Sequence, residues 1–203
     1  MMLTYKVPRD GFKSDRFLEE YVRPLGPSVG SASLDSEEGA KLELSAAKCL
    51  SFARASLLVA SGVTDDWEVT TASERPHDRF VGDLNPGSVE FSLAREGAAD
   101  HHEIHMLEVP DEWRPMELNW RKGAKMRIVD EDEYFTILGN AAALLSFADH
   151  LAYLASSKTP PGTQLRYVPA RDLDPASLPM VIEKVDRSGL AHNSGERPPA
   201  PPA

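Results

Sequence analysis

The chain contains two diverged copies of one sequence unit, and this duplication constrains its fold more than any single motif. When residues 31–61 are aligned without gaps against residues 126–156, ten of the 31 positions are identical. The shared string Leu-Ser-Phe-Ala begins at Leu50 in one copy and at Leu145 in the other. Self-similarity at a fixed spacing is the sequence signature of repeated structural units. We therefore predict that the chain folds as two related halves.

The two copies share one order of predicted elements. In each copy, two strand-like segments flank an acidic turn, an alanine-rich helix follows, and alternating apolar residues then return. We predict helices at residues 46–61 and 141–157, with Ser45 and Asn140 as N-caps and Gly62 as a C-cap. A unit of this kind buries one sheet face under one helix. The predicted fold is α+β: two tandem β-β-α-β-β units that form a pseudo-symmetric two-layer sandwich with mainly antiparallel sheet.

Composition divides the chain into five segments. We assign an N-terminal strand and short helix to residues 1–30, the first repeat unit to 31–100, connecting strands to 101–125, the second repeat unit to 126–186, and a disordered Pro-rich tail to 187–203. The short helix is predicted from the helical spacing of Phe17, Leu18, Tyr21 and Val22.

The overall composition predicts a soluble, cytoplasmic protein. Cys49 is the only cysteine of the 203 residues, so no intrachain disulfide can form, and its alignment with Leu144 indicates a buried thiol. The chain has no apolar signal core at its start and no run of about 18 apolar residues. A net charge of −10 disfavours nucleic acid as a partner and suits a basic protein, although the same charge also maintains solubility.

A histidine-rich segment resembles a metal motif but misses its spacing. In the string from His101 to His105, Met106 stands where the zinc protease pattern requires a second histidine. In an extended strand, His101 and His102 would point to opposite faces, and His105 would lie roughly 13 Å from His101. We therefore expect no bound metal here.

Two further strings also lack the context that their chemistry needs. The acidic run 130–133 has no turn glycine and no spaced ligands of a calcium loop, so we interpret it as a hairpin tip in water. Residues 26–30 match the nucleophile-elbow string, yet a Pro-rich loop precedes them and a predicted strand follows. We predict no catalytic centre and no cofactor.

Binding is better supported by the sequence than catalysis. Two tryptophans stand beside arginines, and these residue types often anchor protein interfaces, although a tryptophan also fills cores. The second predicted helix has an apolar face and a face with Ser146, Asp149, His150 and Tyr153, which we expect to meet solvent or a partner. The predicted partner-binding residues are Trp113, Arg114, Trp120, Arg121, Asp149, His150 and Tyr153.

The first helix differs from the second on this outer face. Ala55 and Leu58 replace His150 and Tyr153 in the repeat alignment. The more apolar surface predicts that this helix is covered, either by the N-terminal segment or by the other repeat.

The second repeat resembles the immunity protein 32 family of bacterial polymorphic toxin systems. The matching residues are Gly139-Asn140, the Leu/Ala helix pattern at 144–155, the strand start at 161–165 and the closing strand at 180–184. The match covers about 60 residues. Two features depart from the family pattern: residues 164–167 replace the histidines that follow the family's helix, and the family is usually a single unit. The resemblance implies a cytoplasmic inhibitor that binds and blocks a toxin domain.

The favoured hypothesis is a non-enzymatic immunity-like protein with a protein partner, such as a basic toxin domain. The alternative is a structural or regulatory protein-binding module without a toxin. The least favoured is a metal-dependent enzyme that uses His101, His102 and His105. We expect no nucleic acid and no membrane partner, and the sequence leaves open whether the protein is a monomer or a homodimer.

Overall fold

Two helices and eleven strands make up the described part of the chain. The structure is a computed structural model that describes residues 3–6, 28–62, 68–70, 79–80, 84–98, 106–112, 115–132 and 134–186. The first elements are β1 (Leu3–Lys6), β2 (Gly30–Asp35), β3 (Gly39–Leu44), α1 (Ala46–Ser61), β4 (Glu68–Thr70), β5 (Arg79–Phe80) and β6 (Glu90–Arg95). The remainder are β7 (Met106–Val109), β8 (Met126–Asp130), β9 (Tyr134–Gly139), α2 (Ala141–Ala155), β10 (Gln164–Tyr167) and β11 (Met180–Lys184). The predicted short helix around Phe17 and the predicted tail lie outside the described residues.

Two mixed sheets and a two-stranded ribbon accompany the helices, so the predicted α+β class is confirmed. One sheet has the strand order β10-β11-β3-β2, and the other has the order β5-β4-β6-β9-β8. The ribbon pairs β1 with β7. In both sheets an antiparallel hairpin joins its neighbour through a parallel pairing, β3 with β11 and β9 with β6.

The two halves exchange strands. The four-stranded sheet combines the hairpin β2-β3 of the first repeat with β10 and β11 of the second. The five-stranded sheet combines the hairpin β8-β9 of the second repeat with β4, β5 and β6 of the first. The second repeat follows the predicted β-β-α-β-β order, whereas the first has the extra strand β5 after its helix. Each sheet therefore needs both repeats.

The helix N-termini confirm the predicted caps and show the same contacts twice. The Ser45 hydroxyl accepts hydrogen bonds from the backbone N–H of Lys48, at the third position of α1, and from that of Val29, just before β2. The Asn140 side-chain oxygen accepts from Ala143, at the third position of α2, and from Lys125, just before β8. Each cap thus satisfies an orphan helix amide and also fixes the hairpin to its helix.

The helix C-termini differ from one another. Gly62 ends α1 in the left-handed conformation, with φ 62°, as predicted. The second helix ends at Ala155, two residues before the predicted limit of 157. The chain leaves the helix at Ser156, and the Thr159 hydroxyl donates to the carbonyl of Tyr153 at 2.7 Å. The same carbonyl also accepts from the backbone N–H of Ser156 at 3.2 Å, so two donors meet it at the end of the helix.

Basic side chains from the following strands also bind the helix ends. Arg95 at the end of β6 donates to the carbonyl of Val59 at 2.7 Å. Lys184 at the end of β11 donates to the carbonyls of Ser156 and Thr159, both at 2.6 Å. A cation at a helix C-terminus is favoured because the carbonyl ends carry partial negative charge. The two halves therefore use equivalent strands to place a basic side chain at the C-terminal end of each helix.

The helices and sheets share one core. Helix α1 packs against α2, and all residues from Lys48 to Ser61 are buried, which confirms that the first helix is covered and identifies the other repeat as a cover. Phe52 of α1 lies 4.9 Å from the Phe91 ring of β6, which stacks 5.2 Å from Phe135 of β9. These aromatic contacts join the halves. No helix within the described ranges is long and apolar enough to cross a membrane.

We expect the thiol of Cys49 to resist thiol reagents in the native protein. Its side chain is fully buried, and burial raises its pKa to about 12. The thiolate is the reactive form. The raised pKa keeps the thiolate population small, and burial keeps reagents away from the sulfur. A colorimetric thiol assay should show almost no reaction in native buffer and one thiol per chain in denaturant. Rapid native labelling would contradict the predicted burial.

Candidate protein-binding groove

The structure brings together five of the seven predicted partner-binding residues. Trp113 and Arg114 lie outside the described residues. The other five lie on or directly beneath one surface groove of about 600 Å³: Trp120, Arg121, Asp149, His150 and Tyr153. This convergence places the chain around Trp120 and the outer face of α2 in one site.

Three separate pieces of chain form the walls of the groove. Strand β7 contributes Met106 and Glu108, which alternate with its buried residues Leu107 and Val109. The described residues 110–112 and 115–121 contribute a second wall, and the outer face of α2 contributes the third. The contribution of β7 was missed from the sequence, although the alternation of residues along a strand is a signal that can reveal it.

The groove is acidic. Among the described residues that line it, Glu108, Asp111, Glu117 and Asp149 carry carboxylates and Arg121 carries a guanidinium. A concave surface of one sign concentrates the field and attracts charges of the opposite sign. The arrangement therefore favours a basic ligand.

One ion pair spans the groove wall. The Arg121 guanidinium contacts the Asp149 carboxylate at 3.3 Å, and both side chains are nearly half exposed. Burial raises the pKa of Asp149, while the charge of Arg121 opposes this shift and that of Glu108 adds to it. The negative charges of Asp149 and Glu108 are therefore close enough to repel one another.

His150 is buried, and the prediction that it meets solvent or a partner is wrong for this residue. Its side chain is 1% exposed, with Nε2 3.2 Å from the carbonyl of Asn119 and Nδ1 3.2 Å from the Tyr167 hydroxyl. A carbonyl only accepts, so Nε2 donates to Asn119 and Nδ1 accepts from Tyr167. Burial lowers the pKa of His150 to about 4. The ring is neutral at pH 7 and adds no charge to the groove.

Ser146 and Tyr153 are buried as well, so the same correction applies to them. Ser146 is 1% exposed and its hydroxyl accepts from the backbone N–H of Arg121 at 2.9 Å. Tyr153 is 6% exposed at the groove wall, whereas Asp149 is exposed as predicted. The polar face of α2 is covered by the chain's own connecting segment, which forms hydrogen bonds with it.

Trp120 holds that segment in place from beneath. Its ring packs edge-on at 5.1 Å from His150 and 6.0 Å from Tyr167. Its Nε1 is buried and has no hydrogen-bond acceptor among the described residues. A tryptophan can anchor an interface or fill a core, and within the described chain the Trp120 ring packs against the core.

The described residues hold no metal centre. No group of three or more His, Cys, Asp or Glu side chains in the described ranges is placed to hold a metal ion. His101, His102 and His105 lie outside those ranges.

The two other strings singled out in the sequence have the predicted surroundings. The acidic run is exposed at Asp130–Asp132, as expected of a hairpin tip. Gly30 begins a strand, as predicted when the nucleophile-elbow interpretation of residues 26–30 was rejected.

Comparisons with protein-family models, with curated proteins and with solved structures give no match for this chain. The resemblance to the immunity protein 32 family therefore stays a prediction from the sequence.

Proposed function

We propose that this protein is a non-enzymatic, immunity-like binding protein of the cytoplasm, whose acidic groove receives a basic surface of a toxin domain and blocks it. The observation that carries this proposal is the groove between β7, the described residues 110–112 and 115–121, and α2. Among its described lining residues, four carry carboxylates and one carries a guanidinium. The partner's own catalytic surface would be occluded by the bound protein.

The charge of the whole chain supports the same partner. A net charge of −10 attracts a basic protein over a distance and raises its association rate. Nucleases and other toxins that act on phosphates carry basic active sites, because cations neutralise the phosphate backbone. An acidic groove is complementary to such a site.

The family resemblance adds a second line of support. The residues that carry it form the end of β9, the N-cap Asn140, helix α2, and strands β10 and β11. Their order along the chain is the order that the family pattern implies. The groove uses the outer face of this same helix.

Co-expression with the products of neighbouring genes tests the proposal. We expect one such product to inhibit growth, and this protein to restore growth and to co-purify with the toxic product. Association should slow markedly as salt is added, since screening weakens steering between charged surfaces. Absence of any toxic neighbour and of any complex would refute the immunity role.

A matched pair of double variants tests whether rescue depends on the carboxylates of the groove. The double variant Glu108→Gln/Asp149→Asn removes two groove charges. The double variant Glu37→Gln/Glu131→Gln removes two charges from the exposed turns of the hairpins. We expect only the groove variant to lose rescue.

The interlocked halves favour the second candidate function, a structural or regulatory module without a toxin. Strand exchange between the repeats is the arrangement expected if a homodimer of one β-β-α-β-β unit became a single chain by duplication. We propose this origin, with a pseudo-symmetric two-layer sandwich, for the module. The module predicts a stable complex with a partner that is harmless to cells.

A further inference from the structure

We propose that the groove binds an arginine or lysine side chain of its partner by displacing Arg121 from Asp149, while a neighbouring apolar side chain of the partner packs on Met106 and Met116. This inference rests on the groove of the proposed function and names the chemistry of the segment that enters it. It does not require the partner to be a toxin.

The groove already holds one guanidinium, which shows the ligand chemistry that it accepts. Arg121 contacts Asp149 at 3.3 Å, and the two side chains are 44% and 47% exposed. An exposed ion pair contributes little to stability, so its partners exchange readily. Because the backbone of Arg121 is fixed by Ser146, its side chain can swing away without moving the chain.

A second cation would meet a surplus of negative charge among the described residues of the groove. Glu108 and Glu117 line the same groove as Asp149, and the charge of Glu108 acts on the Asp149 carboxylate. Arg121 neutralises only one of these groups. His150 is neutral and offers no repulsion to an incoming cation. A guanidinium is well suited to the site because its planar fork binds a carboxylate with two parallel hydrogen bonds.

The apolar part of the site lies beside the charged part. Met106 is 54% exposed, which is unusual for so large an apolar side chain, and it lies two residues before Glu108 on the same face of β7. Met116 and Pro115 lie on the adjoining wall. Methionine is flexible and polarisable, so it adapts to apolar groups of varied shape. A basic residue beside an aliphatic residue would satisfy both parts.

Calorimetric titration of the full chain with a pair of peptides tests the inference. The probe is acetyl-Gly-Leu-Arg-Leu-Gly-amide, and its control carries citrulline, a neutral isostere, in place of arginine. At low ionic strength we expect the arginine peptide to bind about tenfold more tightly than the control, the effect of one charge-assisted contact. No detectable binding of the arginine peptide, or equal binding of the two peptides, would overturn the proposal.

Variants of opposite expected sign make the test specific. Asp149→Asn and Glu108→Gln should each lower the affinity for the arginine peptide by about tenfold. Arg121→Gln removes the side chain that competes with the peptide for Asp149, so the affinity for the arginine peptide should rise by about threefold. General damage to the fold would not raise the affinity. The hairpin variant Glu37→Gln/Glu131→Gln should leave affinity unchanged. Weaker binding by Arg121→Gln would contradict displacement.

The two proposals fail in distinguishable ways. If the peptide binds as expected but no neighbouring product is toxic, the groove chemistry stands and the immunity role falls. If a toxin is neutralised equally by the wild type and by the Glu108→Gln/Asp149→Asn variant, the immunity role stands and the groove inference falls.

Discussion

Replacing Gly39 with alanine is expected to destabilise the protein by roughly 3 to 5 kcal/mol, since a disfavoured backbone conformation and a steric overlap act together. Gly39 begins β3 with φ +83°, and a Cβ built there would lie 2.1 Å from the carbonyl oxygen of Pro179. That carbonyl accepts from the N–H of Ala40 at 2.9 Å, where β3 of the first repeat meets β11 of the second. The clash is with backbone, so the contact between the halves must open.

Gly87→Ala is the matched control. Gly87 has φ +82°, but nothing lies within 4 Å of a Cβ added there. This variant therefore measures the cost of the conformation alone, about 1 kcal/mol. Urea unfolding of both variants gives the comparison. Similar losses would mean that the Gly39 contact with Pro179 is not close in solution.

The local features of this fold could be predicted because their causes are local. Ser45 and Asn140 cap their helices through a side chain that reaches only three residues ahead, so the chain sequence alone reveals them. Gly62 ends α1 for an equally local reason, since glycine tolerates the left-handed conformation. The duplication likewise needs nothing beyond a comparison of the chain with itself.

Strand exchange could not be predicted in the same way. The alternation of residues in β11 indicates a half-buried strand but carries no information on which strand it joins. In the structure β11 pairs with β3, so that Met180 lies opposite Ala40, which is far away in the sequence. Two closed units and two interlocked units bury the same residues. Only the three-dimensional packing distinguishes the closed arrangement from the interlocked one.

The candidate site shows a similar limit. Helical periodicity correctly separated Ser146, Asp149, His150 and Tyr153 from the apolar face of α2. It did not reveal that a segment of the same chain covers most of this polar face, because a polar side chain can be satisfied by backbone as well as by water. Of these four residues, only Asp149 is exposed. The groove exists because the covering segment leaves that part of the helix open.

Titration of His150 is expected to remove about 3 kcal/mol of stability as the pH falls from 6.5 to 4, by the linkage between proton binding and folding. Burial lowers its pKa from 6.5 to about 4. Between these values the unfolded chain binds a proton that the folded chain does not. The stabilising contribution is complete above pH 6.5 and is lost as the pH falls to about 4.

The variant His150→Gln isolates this effect, because it keeps a polar side chain that can donate to Asn119 but does not titrate. Carboxylates and the other histidines titrate in both proteins, so their effects cancel in the difference. At pH 7.5 the wild type should be the more stable in urea unfolding, since its ring also packs against Trp120 and Tyr167. That advantage should shrink steadily toward pH 4. Parallel stability profiles for the two proteins would mean that His150 is hydrated, and that the segment above it does not seal this part of α2.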